Sequence, residues 1–306
     1  MNLSIIILLI IIILVMYLIK HHNKVSHPIM VSQKSLKWLA MGDIGVFNKE
    51  FYQLIKNRFN DYNEFMIILG DNFYPTGIDY KTKYLWDNIR YLNNILDIPM
   101  YPILGNHDYH RIPQEQIYFK KYNWNMPHYY YYKQISEYNI GFWFIDTQIL
   151  TLDGPDLSKD LIERKVGKKT QKEHIKWLEK TLAKSKDQIK IVNGHYPMFS
   201  NGNYRENLKL IKILYPLFKK YNVKVYFSGH DHTFQHLVRN YDNHEVHQFI
   251  IGSSSEVRNH NLNQDTNDIL IEKMSVVSCE LNQMKLHIKA MGLQDNILYK
   301  TSIDLT

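Results

Sequence analysis

Cysteine is nearly absent. Cys279 stands alone among 306 residues, so no intrachain disulfide can form, and a metal that prefers soft thiolate ligands has nothing to bind. The missing disulfide removes one sign of an oxidising compartment without establishing a reducing one. Apart from Asn2-Leu-Ser4 at the terminus there is no Asn-x-Ser/Thr acceptor, so glycosylation of the body of the chain is not indicated. No arginine-rich or aromatic-interleaved tract occurs, which argues against a nucleic-acid partner, and there is no internal repeat. The net charge of +7 and pI near 9.1 are therefore a diffuse basicity suited to small anionic partners or acidic surfaces.

One long hydrophobic run is present. Leu3 to Ile19 is almost unbroken Ile, Leu and Val, about the minimum of roughly 17–25 residues for a membrane-spanning helix. It exceeds the usual ~7–15 residues of a signal-peptide core, and no Ala-x-Ala-like site follows it. The expectation is a single-pass N-terminal anchor over residues 1–20 and a membrane location, with residues 21–35, polar and containing Pro28, as a linker. Lys20 and Lys24 would keep the following flank cytoplasmic under the positive-inside rule. Residues 36–306, with 45% hydrophobic content overall, suffice for one large α/β catalytic domain.

Within that stretch, five short apolar runs end in glycine-containing loops. Leu36 to Met41 leads to Gly42-Asp43-Ile-Gly45, and Phe65 to Leu69 leads to Gly70-Asp71-Asn-Phe-Tyr74. Met100 to Leu104 leads to Gly105-Asn106-His107-Asp108, Ile189 to Asn193 to Gly194-His195, and Val223 to Phe227 to Gly229-His230-Asp-His232. The runs read as strands, with helices of the expected spacing at Lys49 to Phe59, Tyr80 to Leu96, Gln171 to Ala183 and Asn207 to Tyr221. Further strands are expected at Tyr129 to Tyr132, Ile140 to Ile145, His247 to Ile251, Met274 to Leu281 and Met284 to Ala290.

Ligands of open α/β sheets gather at the carboxyl ends of strands. Seven candidate metal ligands collect there: Asp43, Asp71, Tyr74, Asn106, His195, His230 and His232. Carboxylate, phenol, amide oxygen and imidazole suit a hard trivalent iron beside a divalent ion, and Asp71 is the natural bridging carboxylate. Asp43 or Asn106 alone would more often be a loop or helix-capping residue, and Tyr74 alone part of an aromatic wall in a chain with 23 Tyr. Nothing in folding requires seven such groups at five strand ends.

These five segments resemble the purple acid phosphatase branch of the metallophosphoesterases. Most metallophosphoesterases open with Asp-x-His, whereas this chain reads Asp43-Ile-Gly45 and has Tyr74 where the branch carries its iron-binding tyrosine. The similarity is closest to the small tartrate-resistant acid phosphatases of animals. It runs from about Leu36 to about Gly252 and includes Phe144-Ile-Asp-Thr147 and His195-Tyr-Pro197. It implies a four-layer α/β/β/α sandwich and a dinuclear-metal phosphatase that hydrolyses phosphomonoesters by attack of a metal-bound hydroxide. By the same resemblance iron(III) takes Asp43, Asp71, Tyr74 and His232, and a divalent iron, zinc or manganese takes Asp71, Asn106, His195 and His230. His107 is the expected proton donor to the leaving group, with Asp108 holding its tautomer. The implied substrate is a small-molecule or phosphoprotein phosphate ester, and the implied assembly is a monomer. The animal relatives are secretory or lysosomal, which opposes the orientation suggested by Lys20 and Lys24.

Two departures stand out. The cysteine pair of the animal enzymes is missing, and where they carry a glutamate and a histidine beyond the ligand His195, this chain has Asn203 and Tyr204. A phenol of pKa about 10 donates a hydrogen bond but supplies no cationic imidazole. Two readings of other classes accompany the enzyme: a membrane-tethered phosphate or metal binder without turnover, and an iron-dependent redox protein that generates radicals.

Overall fold

Apolar runs too short for helices become the central strands of the fold. Leu36–Met41 (β1), Phe65–Ile68 (β2) and Met100–Pro102 (β3) are separated by helices Lys49–Phe59 (α1) and Trp86–Leu96 (α2), and a short helix Gln114–Tyr118 (α3) follows. Tyr131–Ile135 (β4) and Ile140–Phe144 (β5) form a hairpin around a 3₁₀ turn at Ser136–Tyr138, before helices Thr147–Thr151 (α4), Lys159–Val166 (α5) and Thr170–Lys184 (α6). Next come Ile189–Asn193 (β6), helix Leu208–Tyr221 (α7) and Val225–Ser228 (β7), then Phe234–Tyr241 (β8), His244–Ile251 (β9), Ile269–Ile271 (β10), Ser275–Asn282 (β11), Lys285–Gly292 (β12) and Ile297–Asp304 (β13). This computed structural model describes residues 35–59, 64–152, 159–167, 170–259, 268–293 and 296–306.

The strands form two sheets. The first has the order β13-β12-β11-β1-β2-β3 and the second β10-β8-β9-β7-β6-β5-β4. The strands that precede candidate ligands run parallel to one another: β1, β2 and β3 in one sheet, and β6 and β7, with β5 parallel beside them, in the other. Parallel neighbours require crossover connections, and right-handed crossovers in succession place α1 and α2 on one face of the first sheet.

Period-two alternation divides the core. In β5, Ile140, Phe142 and Phe144 face one cluster while Trp143 faces another; in β7, Val225 and Phe227 oppose Tyr226 in the same way. The first cluster lies between the sheets, where Phe142 meets Trp38 of β1 and Phe65 of β2 with ring centroids 5.3 Å apart in both pairs. The second joins the opposite face of the second sheet to α6 and α7 through Leu178, Leu182, Leu210, Leu214 and Phe218. A sheet whose two faces are both covered reads as a nearly continuous apolar run, which is how β1, β2 and β6 read. The result is the mixed α/β arrangement of helices, sheet, sheet and helices that the resemblance implied.

The expectation of a membrane location is corrected. Among the described residues no helix is long and apolar enough to cross a membrane, and the proposed anchor at Leu3 to Ile19 lies outside those residues.

Candidate metal centre

All five glycine-containing loops open at the same edge of the two-sheet sandwich. At the strand ends the chain reverses sharply: Asp43, Asp71 and His230 have φ of 57°, 52° and 70°, a left-handed conformation unusual outside glycine. Such backbone is kept only where its surroundings over-determine it. Here Asp43 N donates to Gly70 O (3.0 Å), Gly45 N to Asp71 O (3.1 Å) and His230 N to the Asp43 carboxylate (2.9 Å). These bonds tie the loops after β1, β2 and β7 to one another.

The seven sequence-selected side chains come together. Asp71, His195 and His230 each place one ligand atom within 4.8 Å of the others, and Asn106 Oδ1 lies 3.0 Å from His195 Nε2. On the other side of Asp71, the Tyr74 hydroxyl is 3.0 Å from Asp43 Oδ1, 3.1 Å from Asp71 Oδ2 and 2.9 Å from His232 Nε2. Asp71 thus belongs to both groups. Apart from Tyr74 at the rim, none of these residues is more than 5% exposed.

The donor and acceptor inventory tests whether a cation fits. His195 Nδ1 is 2.7 Å from the Leu69 carbonyl, which can only accept, so Nδ1 carries the proton and a neutral ring presents a lone pair at Nε2. That lone pair faces Asn106 Oδ1 at 3.0 Å and Asp71 Oδ1 at 3.5 Å, two further electron-rich atoms. Tyr74 has one hydrogen to offer two carboxylates and an imidazole. Buried atoms of this kind repel unless a proton or a metal ion lies among them. The titration behaviour agrees. Burial would hold His195 neutral, yet Asp71 and Asp43 raise its pKa to about 9. Burial raises Asp71, but His195, His107 and His230 outweigh it and hold the carboxyl below the usual range. His230 is kept neutral by burial and by His195, so its lone pair is available to a metal. The residues present fit a metal centre.

A comparison with known families matches residues 36–234, well over half of the chain, to the calcineurin-like phosphoesterases. The chain belongs to this family. Tartrate-resistant acid phosphatase type 5 of Homo sapiens is 31% identical over 184 residues, covering 57% of this chain and 57% of its own. Purple acid phosphatase 7 of Arabidopsis thaliana is 24% identical over 302 residues, 92% of this chain and 90% of its own. This phosphoesterase therefore spans somewhat over half the length of the animal relatives it matches. Among solved structures, GAP50, described as the anchor in the inner membrane complex of Plasmodium, superposes with a TM-score of 0.71 at 22% identity over 89% of each chain. Purple acid phosphatase PPD1 of yellow lupin gives 0.63 at 16% identity, covering 89% of this chain and 54% of that one. At such identities the structures speak for the fold alone.

His107 sits at the margin of the phosphoesterase site. Its Nδ1 donates to Pro75 O (2.6 Å), its ring stands edge-on to Tyr74 with centroids 4.6 Å apart, and Nε2 is 3.9 Å from Asp71 Oδ2. The Pro75 carbonyl, rather than Asp108, therefore sets the tautomer. Asp108 turns inward and accepts from Gly105 N (2.8 Å), Asn72 N (3.2 Å) and Gln116 Nε2 (2.8 Å), bracing two ligand loops; burial and the Asp71 charge push its carboxyl up to about 7. Adjacency in sequence misled here because the 3₁₀ turn at His107–His110 points successive side chains in different directions.

Arg258 was missed by sequence reasoning. It follows β9 on an unpatterned loop, where its backbone N donates to His232 O (3.0 Å) and its Nη1 to the Tyr204 hydroxyl (3.1 Å). Tyr204 in turn lies over the His230 ring, centroids 4.0 Å apart. A fixed positive charge thus stands beside the Tyr204 phenol. Asn203 is exposed.

Proposed function

We propose that residues 36–306 form a catalytic unit that hydrolyses phosphomonoesters at a dinuclear metal centre of the purple acid phosphatase kind. The observation that carries the proposal is the convergence of seven electron-rich side chains on two overlapping groups that share Asp71. Asp43, Asp71, Tyr74 and His232 would hold iron(III); Asp71, Asn106, His195 and His230 would hold a divalent iron, zinc or manganese. When bound, such a pair supplies Lewis acidity that binds phosphate oxygens, offsets their charge and lowers the pKa of a water for in-line attack. The chain's own part is to hold the ligands rigid, keep the imidazoles of His195 and His230 oriented, and protonate the departing oxygen. His107 suits that last role: with Nδ1–H bound to Pro75 O, Nε2 faces Asp71, and the doubly protonated ring is the form that carries a proton there to give. Burial, Asp43 and Asp71 raise the Tyr74 phenol well above its ordinary pKa, so its ionisation requires a strongly charging cation such as iron(III). The similarity to enzymes named acid phosphatases favours turnover over a pure binder.

The test is turnover of p-nitrophenyl phosphate by the purified full-length chain loaded with iron and zinc. Metal-dependent release of p-nitrophenol is expected. A metal-loaded, folded protein that binds phosphate but turns nothing over would replace the enzyme with the binder, and peroxide-dependent dye oxidation without phosphatase activity would replace it with the redox protein.

A further inference from the structure

Two cavities border the centre, and one hydrogen bond joins their walls. Arg258 lines the larger, of about 590 Å³, together with Tyr74 and His107; Tyr204 lines the smaller, of about 390 Å³, together with His230. The 3.1 Å bond from Arg258 Nη1 to the Tyr204 hydroxyl therefore links the Tyr74 side of the centre to the His230 side. The guanidinium lies within electrostatic reach of Tyr74 and Asp43 in one direction and of His230 in the other. Both partners are anchored to ligand residues, Arg258 through its backbone N on His232 O and Tyr204 through its ring over that of His230.

The charge on Arg258 is unlike that of the other arginines. Arg90, Arg111 and Arg239 each pair with an aspartate, whereas among the described residues the side chain of Arg258 has a neutral phenol as its hydrogen-bond partner. A guanidinium carries five N–H donors, and the phenol takes one of them. Glu256, which lines the same cavity, leans toward His232 Nδ1 at 3.7 Å. With the ligands assigned above, Asp43, Asp71 and Tyr74 bring fewer negative charges than a trivalent and a divalent ion carry together. A cation beside so positive a centre is repelled unless an anion lies between them. A phosphomonoester is such an anion, and the planar guanidinium fork matches its oxygens.

We infer that Arg258 is a substrate-binding residue that donates to a non-bridging oxygen of the phosphate at this centre, with Tyr204 as the positioning residue that aims it. The inference rests on the phosphatase reading above and adds a source of specificity to it. A phosphodiester has one of those oxygens esterified and carries less charge, so it gains less from the guanidinium.

Calorimetric titration of inorganic phosphate into the full-length chain loaded with iron and zinc tests this without turnover. Arg258→Gln should weaken binding about 10–100-fold, the worth of a hydrogen bond to a charged group, and Arg258→Lys should recover part of the loss. Tyr204→Phe, which keeps the ring over His230, should weaken it by roughly 2–10-fold. Metal content should stay at the wild-type level in all three variants, because the backbone bond from Arg258 to His232 O survives. In turnover, Arg258→Gln should lose about 10–100-fold in kcat/KM for p-nitrophenyl phosphate, with a smaller loss for bis(p-nitrophenyl) phosphate. Wild-type phosphate affinity in Arg258→Gln, loss of metal from it, or equal losses for monoester and diester overturns the role of Arg258 and leaves the phosphatase reading standing. Failure of the wild type to bind phosphate overturns both.

Discussion

Gly105→Ala is a one-carbon perturbation aimed at the shared carboxylate. Gly105 has backbone angles that any residue adopts, so alanine brings no conformational penalty. A Cβ there would stand 2.7 Å from Asp71 Cγ and closer still to its Oδ1, against an ordinary contact of 3.4 Å or more. The carboxylate is held by His107 N at 2.9 Å and lies in a fully buried pocket, so relief requires Asp71 or the Gly105 loop to move by roughly 1 Å. Misplacement on that scale costs about 10²-fold in rate, whereas overpacking of this kind costs only about 1–3 kcal/mol of stability. The expected variant is folded, melts a few degrees lower, has kcat reduced about 100-fold and binds fewer than two metal ions per chain. Metal analysis, calorimetric melting and p-nitrophenyl phosphate kinetics on the same preparation provide the assay. A folded Gly105→Ala with wild-type metal content and kcat would refute the placement of Asp71 as the bridge.

Removing the imidazole in His107→Ala should leave metal content unchanged and lower kcat by about 10²–10⁴-fold for alkyl phosphates, with a smaller loss for p-nitrophenyl phosphate, whose leaving group needs no proton; equal losses would make His107 an orienting residue. His174, in α6, stacks on Tyr130 with centroids 3.9 Å apart and has no hydrogen-bond partner at either ring nitrogen, and burial followed by the His128 charge hold its pKa well below 6.5. The unfolded chain takes up this proton below about pH 6.5 and the folded chain does not, so stability falls as pH drops through and below that value, by up to about 1.4 kcal/mol per pH unit. His174→Phe should flatten that decline in thermal melts between pH 7 and 5, and should gain about 1–3 kcal/mol at neutral pH by removing an unsatisfied group; an unchanged slope would show that His174 is not the titrating residue.

The parallel strands were legible because burial on both faces leaves continuous apolar runs; β1, β6 and β7 end two residues before their candidate ligands, and β2 and β3 end earlier, before Asp71 and Asn106. The site was legible for a related reason: Asp43, Asp71 and His230 sit directly after those strands, where the backbone must turn. The antiparallel strands were harder. β8 carries buried polar residues, Gln235 and His236, that break the apolar pattern, although the Asp242-Asn243 pair at φ of 51° and 61° is a hairpin signal that the sequence does contain. β13 is a half-exposed edge with weak alternation. Arg258 had no local signature at all, because its position depends on β9 and the loop after β7 meeting in space.

The visible absorption spectrum of the zinc-containing protein titrated with ferric iron tests the central claim most directly. Phenolate bound to iron(III) gives a charge-transfer band, and among the seven candidate ligands only Tyr74 would supply a phenolate. The account predicts a purple band that saturates at one iron per chain and is absent from Tyr74→Phe, which keeps the ring beside His107 while losing the oxygen shared with Asp43, Asp71 and His232. A colourless iron-loaded wild type, or a Tyr74→Phe that stays purple, would contradict it.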